Sequence, residues 1–270
     1  MNQFLKALRS VPAARRPGSL PLMASMVCAA AALAADALAY EENRHPLAHP
    51  IHSGDRPQPP VVDPGPPAPM APPPSDAIVL FDGSGFDNWQ GHDGGEVPWD
   101  LVEDAMRVVP GSGDIRTRER FGDVQLYLEF KLDPESPGSG QQRSNSGVFF
   151  GPYEVQVLDS YENPTYPDGQ AAAIYGQYPP LVNASRPPGE WQSYNIIYRA
   201  PRFEEGIAVE PARLTVFHNN VLVQDNEPLI GPTAHQVRIH YREHGDVRIR
   251  LQDHEDDPIQ FRNIWIRELK

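Results

Sequence analysis

Between Asp123 and Leu132 the chain reads DVQLYLEFKL, with Val124, Leu126, Leu128 and Phe130 at every second position. A strand turns successive side chains to opposite faces, so this pattern buries one face only if the segment is a strand. The same alternation returns at Gln192–Tyr198, Ala212–Phe217 and Val247–Leu251, and Ile259–Ile266 adds a last strand-like run. Two short apolar runs, Gly147–Phe150 and Tyr153–Leu158, meet at Gly151-Pro152, and His218-Asn219-Asn220 separates Ala212–Phe217 from Val221–Val223. Asparagine tolerates positive φ, so the second junction is a hairpin turn. Helical periodicity is almost absent after Asp76, and no internal repeat is present. Many strands with Gly/Pro turns and no alternating helices predict an all-β fold, a two-sheet antiparallel β-sandwich.

That fold is expected over residues 76–270. Upstream, twelve prolines fall between Pro46 and Pro74, with almost no large apolar side chains. Such a stretch buries too little surface to offset the entropy of ordering, so residues 40–75 are expected to form a disordered tether. Residues 1–39 read as a signal peptide. Lys6, Arg9, Arg15 and Arg16 are followed by an apolar run from Leu20 to Leu38 and by the small-x-small site Ala37-Leu38-Ala39. Cleavage there leaves no membrane span and removes Cys28, the single cysteine. The mature chain then has no disulfide, thiolate ligand or cysteine nucleophile, and a periplasmic or secreted location is expected. The formal net charge of −13, with no basic block in the domain, argues against a nucleic-acid partner.

In Tyr153–Asp159, YEVQVLD, Glu154 and Gln156 share one strand face while Val155 and Val157 turn to the core. Asp159 reaches the Glu154 face only through a bulge. Two carboxylates flanking an amide suit acid/base work; the plainer reading is a solvated polar face. Arg143 leads into the neighbouring strand as a candidate donor, and Asn145 and Ser146 beside it are neutral sugar-binding groups or turn residues. In RIRLQDH, Arg248, Arg250, Gln252 and His254 share a face opposite Ile249 and Leu251. Asn263 in FRNIWI is a buried hydrogen bonder or a ligand contact. The loop from Ser160 to Gly189 is long enough to be functional or mobile, and Tyr175 within it is counted with the substrate-binding residues. No phosphate loop, G-x-S-x-G elbow or paired zinc histidines are present.

Taken in order, LFDGSGFDNW, FGDVQLYLEFK, NSGVFF, YEVQVLDS, AIYGQYPPLVNASRPPGEWQSYNI, HNNVLV, LQDH and FRNIWIREL resemble the 3-keto-disaccharide hydrolase family from about Ile78 to Leu269. The resemblance implies a concanavalin A-like jelly roll with a concave ligand face. Laminarinase-type glucanases of that architecture carry E-x-D-x-x-E, and here the run is Glu154-x-Gln156-x-x-Asp159, with an amide in place of the middle carboxylate. Retaining hydrolysis needs two carboxyls about 5–5.5 Å apart, so the substitution counts against it.

The family chemistry is different. A ketone at C3 acidifies the C2 hydrogen, a base removes it, the enolate expels the group at C1, and water adds across the double bond. Under that scheme Glu154, Asp159 and His254 are the catalytic acid and base candidates. Arg143, Asn145, Ser146, Gln156, Tyr175 and Gln252 are the substrate-binding ones. The sequence names no cofactor; the ketone chemistry admits a divalent metal ion. The partner expected is a small carbohydrate. The alternatives are a non-catalytic carbohydrate-binding sandwich and a conventional glucan hydrolase. The sequence departs from the family at Asn219-Asn220, usually Asn-Gly, and at Glu255–Pro258 after His254.

Overall fold

The alternating segments pair into two sheets in the computed structural model, which describes residues 39–67, 69–70, 72–254 and 257–270. The strands are β1 (Ile78–Phe81), β2 (Trp89–Gly91), β3 (Asp100–Val102), β4 (Ala105–Arg107) and β5 (Ile115–Thr117). They continue as β6 (Val124–Lys131), β7 (Asn145–Phe150), β8 (Tyr153–Leu158), β9 (Trp191–Arg199) and β10 (Arg202–Glu204). The last are β11 (Ile207–Glu210), β12 (Arg213–His218), β13 (Val221–Pro228), β14 (Ile249–Leu251) and β15 (Gln260–Glu268). One sheet runs β13-β12-β9-β6-β15-β4-β3 with β1 also on β15; the other runs β2-β5-β14-β7-β8; β10 and β11 form a separate hairpin. All the ladders are antiparallel, so the fold is an all-β sandwich.

The core lies between the sheets. Leu126, Leu128, Phe130, Tyr194, Ile196 and Tyr198 from the larger sheet meet Val148, Phe150, Tyr153, Val155 and Val157 from the smaller one. Phe150 stacks on Tyr198 at 4.8 Å, and the Tyr194 hydroxyl donates to the Gln156 carbonyl at 2.7 Å. Fully burying such side chains stabilises by about 1.5–3 kcal/mol each. His218 at the end of β12 is also in the core, bonded to Gln192 at 2.9 Å; burial pulls its pKa down to about 3, so it is neutral. Asn219 and Asn220 turn the hairpin with φ of 52° and 66°, as expected of that pair.

Residues 172–175 line the free edge of β8. The Gln156 amide donates to Ala173 O, while Ala172 and Tyr175 donate to Gln156 O and Glu154 O. The Ser160–Gly189 loop therefore packs on the sheet, and β8 is buried on both faces. Asn263, at φ 47°, sits in a bulge of β15 and donates to Glu129 Oε1 at 3.0 Å, a structural bond.

The tether expectation needs correction. From Tyr40 to Pro66 the segment packs on the domain, and arginines make the attachment. Arg44, 3% exposed, donates to Pro179 O at 3.1 Å and Gln224 Oε1 at 2.8 Å, and pairs with Glu227 at 2.9 Å. Arg56 donates to His45 O and pairs with the buried Asp168. Val61 bridges Asn183 in parallel, and Arg186 donates to the Gly65 and Pro66 carbonyls. Prolines lower the entropy of the unfolded chain, so charge-assisted bonds to carbonyls suffice where apolar side chains are missing. The described residues from Pro67 to Ser75 are mostly exposed. The signal-peptide reading, except at Ala39, lies outside the described residues. No described helix is long and apolar enough to cross a membrane.

Candidate active site

The outer face of the five-stranded sheet carries a cavity of about 710 Å3 lined by Gln141, Gln142, Asn145, Phe149, Glu154, Gln156, Tyr166, Tyr175, Thr233, Ala234, His235, Arg250, Gln252 and His254. That volume suits a small ligand. Period-two alternation accounts for the floor. Asn145, Gly147 and Phe149 share a face of β7 and stand opposite Leu158, Gln156 and Glu154 of β8. Arg250 of β14 stands opposite Phe149, and its guanidinium lies 3.5 Å from the ring centroid. The roof comes from the 160–189 loop and from residues 233–235.

Glu154 is the one carboxylate among the described residues that line the cavity. Burial pushes its pKa up to about 8; the Arg250 charge opposes this and the Asp114 charge adds to it. Gln156 is 1% exposed and donates to Asn145 Oδ1 at 3.0 Å, while the Asn145 amide donates to Gln141 O at 2.8 Å. This bonding holds the two amides as a fixed pair. His254 closes another wall, its Nδ1 buried without a protein hydrogen bond. A buried polar atom left open at a cavity wall marks a place for ligand or water.

Asp159 does not join them. β8 ends at Leu158, and Asp159 turns to an ion pair with Arg143 at 2.8 Å and accepts from the Tyr161 amide at 3.1 Å. Burial raises its pKa against the lowering pull of Arg143. Arg143 is thereby also away from the cavity. Ser146 points to the opposite face from Asn145 and donates to Gln252 O at 2.7 Å, joining β7 to the chain after β14. The buried Asp257 accepts from the amides of Ser144 and Asn145 and fixes the start of β7.

Several lining residues escaped the sequence reading. Phe149 was findable, since it alternates with Asn145 along β7; Arg250 was set on the polar face with Gln252 but given no role. Tyr166 and His235 come from irregular loops, where no period points to them. Tyr166 and Tyr175 share a hydroxyl contact at 3.1 Å, and Tyr175 meets His235 Nδ1 at 3.0 Å. Behind them lies His52 of the N-terminal segment, 4.0 Å from Tyr166 by ring centroids and 3.2 Å from Asp168. The segment thus backs the cavity wall. Among the described residues no three His, Cys, Asp or Glu side chains converge as a metal-ligand set.

Residues 76–267 match the family described as the 3-keto-alpha-glucoside-1,2-lyase-like domain. A 3-keto-disaccharide hydrolase of Bacteroides thetaiotaomicron is 25% identical over 239 residues, covering 71% of this chain and 78% of that one. A crystal structure of a candidate glycosyl hydrolase from Parabacteroides distasonis is 42% identical, with a TM-score of 0.71 over 80% of this chain and 94% of that one. A second such protein of that organism, at 18% identity and a TM-score of 0.51, covers 72% of this chain and 94% of its own, and shares the fold.

Proposed function

The chain belongs to the 3-keto-alpha-glucoside-1,2-lyase-like family, and from that membership and the chemistry of the cavity we propose that it cleaves 3-keto-glycosides by elimination followed by hydration. It is a carbohydrate-active enzyme on this reading, and the Glu154 cavity is where the sugar seats. The observation that carries the mechanism is that Glu154 stands without a second carboxylate among the described lining residues. Two-carboxylate hydrolysis of a plain glucan needs the pair. Elimination from a ketone needs one base, and the sugar's own C3 ketone supplies the acidity.

In this scheme Glu154 takes the C2 proton. A carboxylate whose pKa is near 8 is a stronger base than an ordinary one and is matched to neutral or mildly alkaline operation. The electron pair moves to the C3 oxygen as an enolate, and the Arg250 guanidinium, which lines the cavity, offsets that charge in the scheme. The enolate re-forms the ketone and expels the C1 oxygen, and His254 protonates that oxygen as the alcohol leaves. Water then adds its hydroxyl to C1 and gives its proton to His254, which restores the acid, and the proton on Glu154 returns to C2. The sum is hydrolysis to the 3-keto sugar and the alcohol. Asn145, Gln156, Gln252 and Tyr175 supply neutral donors and acceptors for hydroxyls.

Incubation with a 3-keto-glucoside and the matching plain glucoside tests the reading. Turnover of the oxidised sugar alone is the expected result. Turnover of the plain one points to a conventional hydrolase, and binding without turnover of either points to a carbohydrate-binding sandwich. Export to the periplasm or medium belongs to the same proposal, and N-terminal sequencing of the mature protein, expected to begin at Tyr40, checks it.

A further inference from the structure

Gln90, Arg116, Arg250, Phe149 and Glu154 are successive ladder partners across β2, β5, β14, β7 and β8. Directly paired residues point to the same face of a sheet, so these five form one transverse row. Glu154 marks the sugar cavity at one end. Toward the other end the row becomes basic. A second cavity, of about 220 Å3, is lined by His92, Arg116, Arg120, Arg248 and Arg250 with Gly151 and Val247. Arg250 lines both cavities.

The charge there is unbalanced. Asp114 pairs with Arg250, but among the described residues no ion pair involves Arg116, Arg120 or Arg248. Arg248 donates to the carbonyls of Thr117 and Arg118, and Arg120 to that of Asp246, which orients the guanidiniums without neutralising them. Arg116 Nε is buried with no hydrogen-bond partner. Among the described residues no carboxylate lines the cavity, although the chain as a whole carries a formal charge of −13. Like charges held together without counter-ions oppose folding, and a buried guanidinium nitrogen without an acceptor adds to that cost. A bound oxyanion removes both penalties, and the planar fork of arginine matches its geometry.

We propose that this cavity binds an oxyanion, a carboxylate or sulfate, carried by the substrate beyond the sugar that seats on Glu154. The substrate class is then an anionic 3-keto-glycoside, with Arg116 and Arg248 as specificity-determining residues. This rests on the reading of the Glu154 cavity as the 3-keto-sugar site.

The test compares 3-keto-glucosides of equal size whose leaving groups are neutral, carboxylated or sulfated. It uses the mature wild-type chain and the Arg116→Gln and Arg248→Gln variants. The anionic substrates should have a kcat/KM about tenfold or more above the neutral one at low salt, and the advantage should fall in both variants and in high salt. Turnover of the neutral substrate should be unchanged by either substitution. Equal turnover of neutral and anionic substrates overturns the proposal and leaves the proposed function standing. If no 3-keto-glucoside is turned over, the function reading fails, and calorimetric titration with methyl glucuronide decides the cavity separately. Binding weakened about tenfold in both variants supports the oxyanion site; absent or unaltered binding sinks it. Inorganic sulfate binding as tightly as the glycoside would show a free-anion site and overturn the substrate assignment.

Discussion

Glu154 holds its carboxyl over the bare Cα of Gly147 on the neighbouring strand: a methyl group at position 147 would lie 2.7 Å from Oε1 and 2.5 Å from the edge of the Phe149 ring. Both clashes are with the far ends of side chains, so the backbone can stay and the side chains must move. Gly147→Ala should therefore cost only about 1–3 kcal/mol of stability, the usual range for overpacking. Catalysis should fall by about 100-fold, because the base is displaced by a sizeable fraction of an ångström or more. A melting curve and kcat/KM measured together check this. Proportionate loss of both would mean that position 147 matters for folding alone.

The buried Glu154 also sets a pH dependence. Its pKa is about 8 in the fold against 4.5 for an ordinary glutamate, so between those values the folded state holds a proton that the unfolded state has lost. Stability from this group is then greatest below about pH 4.5, falls as pH rises to about 8, and is level beyond. The difference is on the order of a few kcal/mol. Glu154→Gln stays neutral throughout, so the variant should melt above the wild type at pH 9 and near it at pH 4. A difference between the two proteins that does not change with pH would refute the buried-carboxyl account. For the wild type, kcat/KM should rise with pH through about 8, since the deprotonated form is the base.

Arg56 and Asp168 are both almost fully buried, 3.2 Å apart, with His52 on the other Asp168 oxygen. Arg56→Leu leaves that carboxylate without its cation and should destabilise by about 3–5 kcal/mol. Deleting residues 40–66 should also lower the melting temperature by several degrees and loosen the Tyr166–Tyr175 wall. A deletion variant that melts with the wild type would restore the view of this segment as a free tether.

The floor of the cavity could be read from alternation because strand geometry is periodic. Placing Glu154 and Gln156 on one face, and Gln252 on the polar side of its own strand, required only a period of two, whereas Asn145 was singled out by its side-chain chemistry and not by its face. The reading failed where the period stops. Asp159 lies one residue past the end of β8, and Arg143 takes its carboxylate. Ser146 is inside the strand but of opposite parity to Asn145. The N-terminal segment was misread for another reason. Its proline content signals low apolar burial, yet Arg44 and Arg56 reach carbonyls and carboxylates more than 100 residues away, which no local pattern encodes. Tyr166, His235 and His52 meet for the same reason, through loop packing rather than through any repeat.

The order of the chemical steps separates the roles of Glu154 and His254. If Glu154 removes the C2 proton, Glu154→Gln should keep the fold and bind substrate, because a neutral amide replaces a side chain that burial already favours as neutral. Its kcat should drop by about 100-fold or more, the usual scale for a positioned base. In deuterated solvent the wild type should exchange the C2 hydrogen of a 3-keto-glucoside, and Glu154→Gln should not, since proton removal precedes loss of the C1 oxygen. His254→Gln should retain exchange while product formation falls, because His254 acts on the departing oxygen. A leaving group of lower pKa needs less protonation, so aryl 3-keto-glucosides should recover much of the lost rate in His254→Gln and none of it in Glu154→Gln. Asp159→Asn should alter stability through its Arg143 contact and leave exchange intact. Exchange at the wild-type rate in Glu154→Gln would remove Glu154 as the base and leave His254 or His235 as the group to test next.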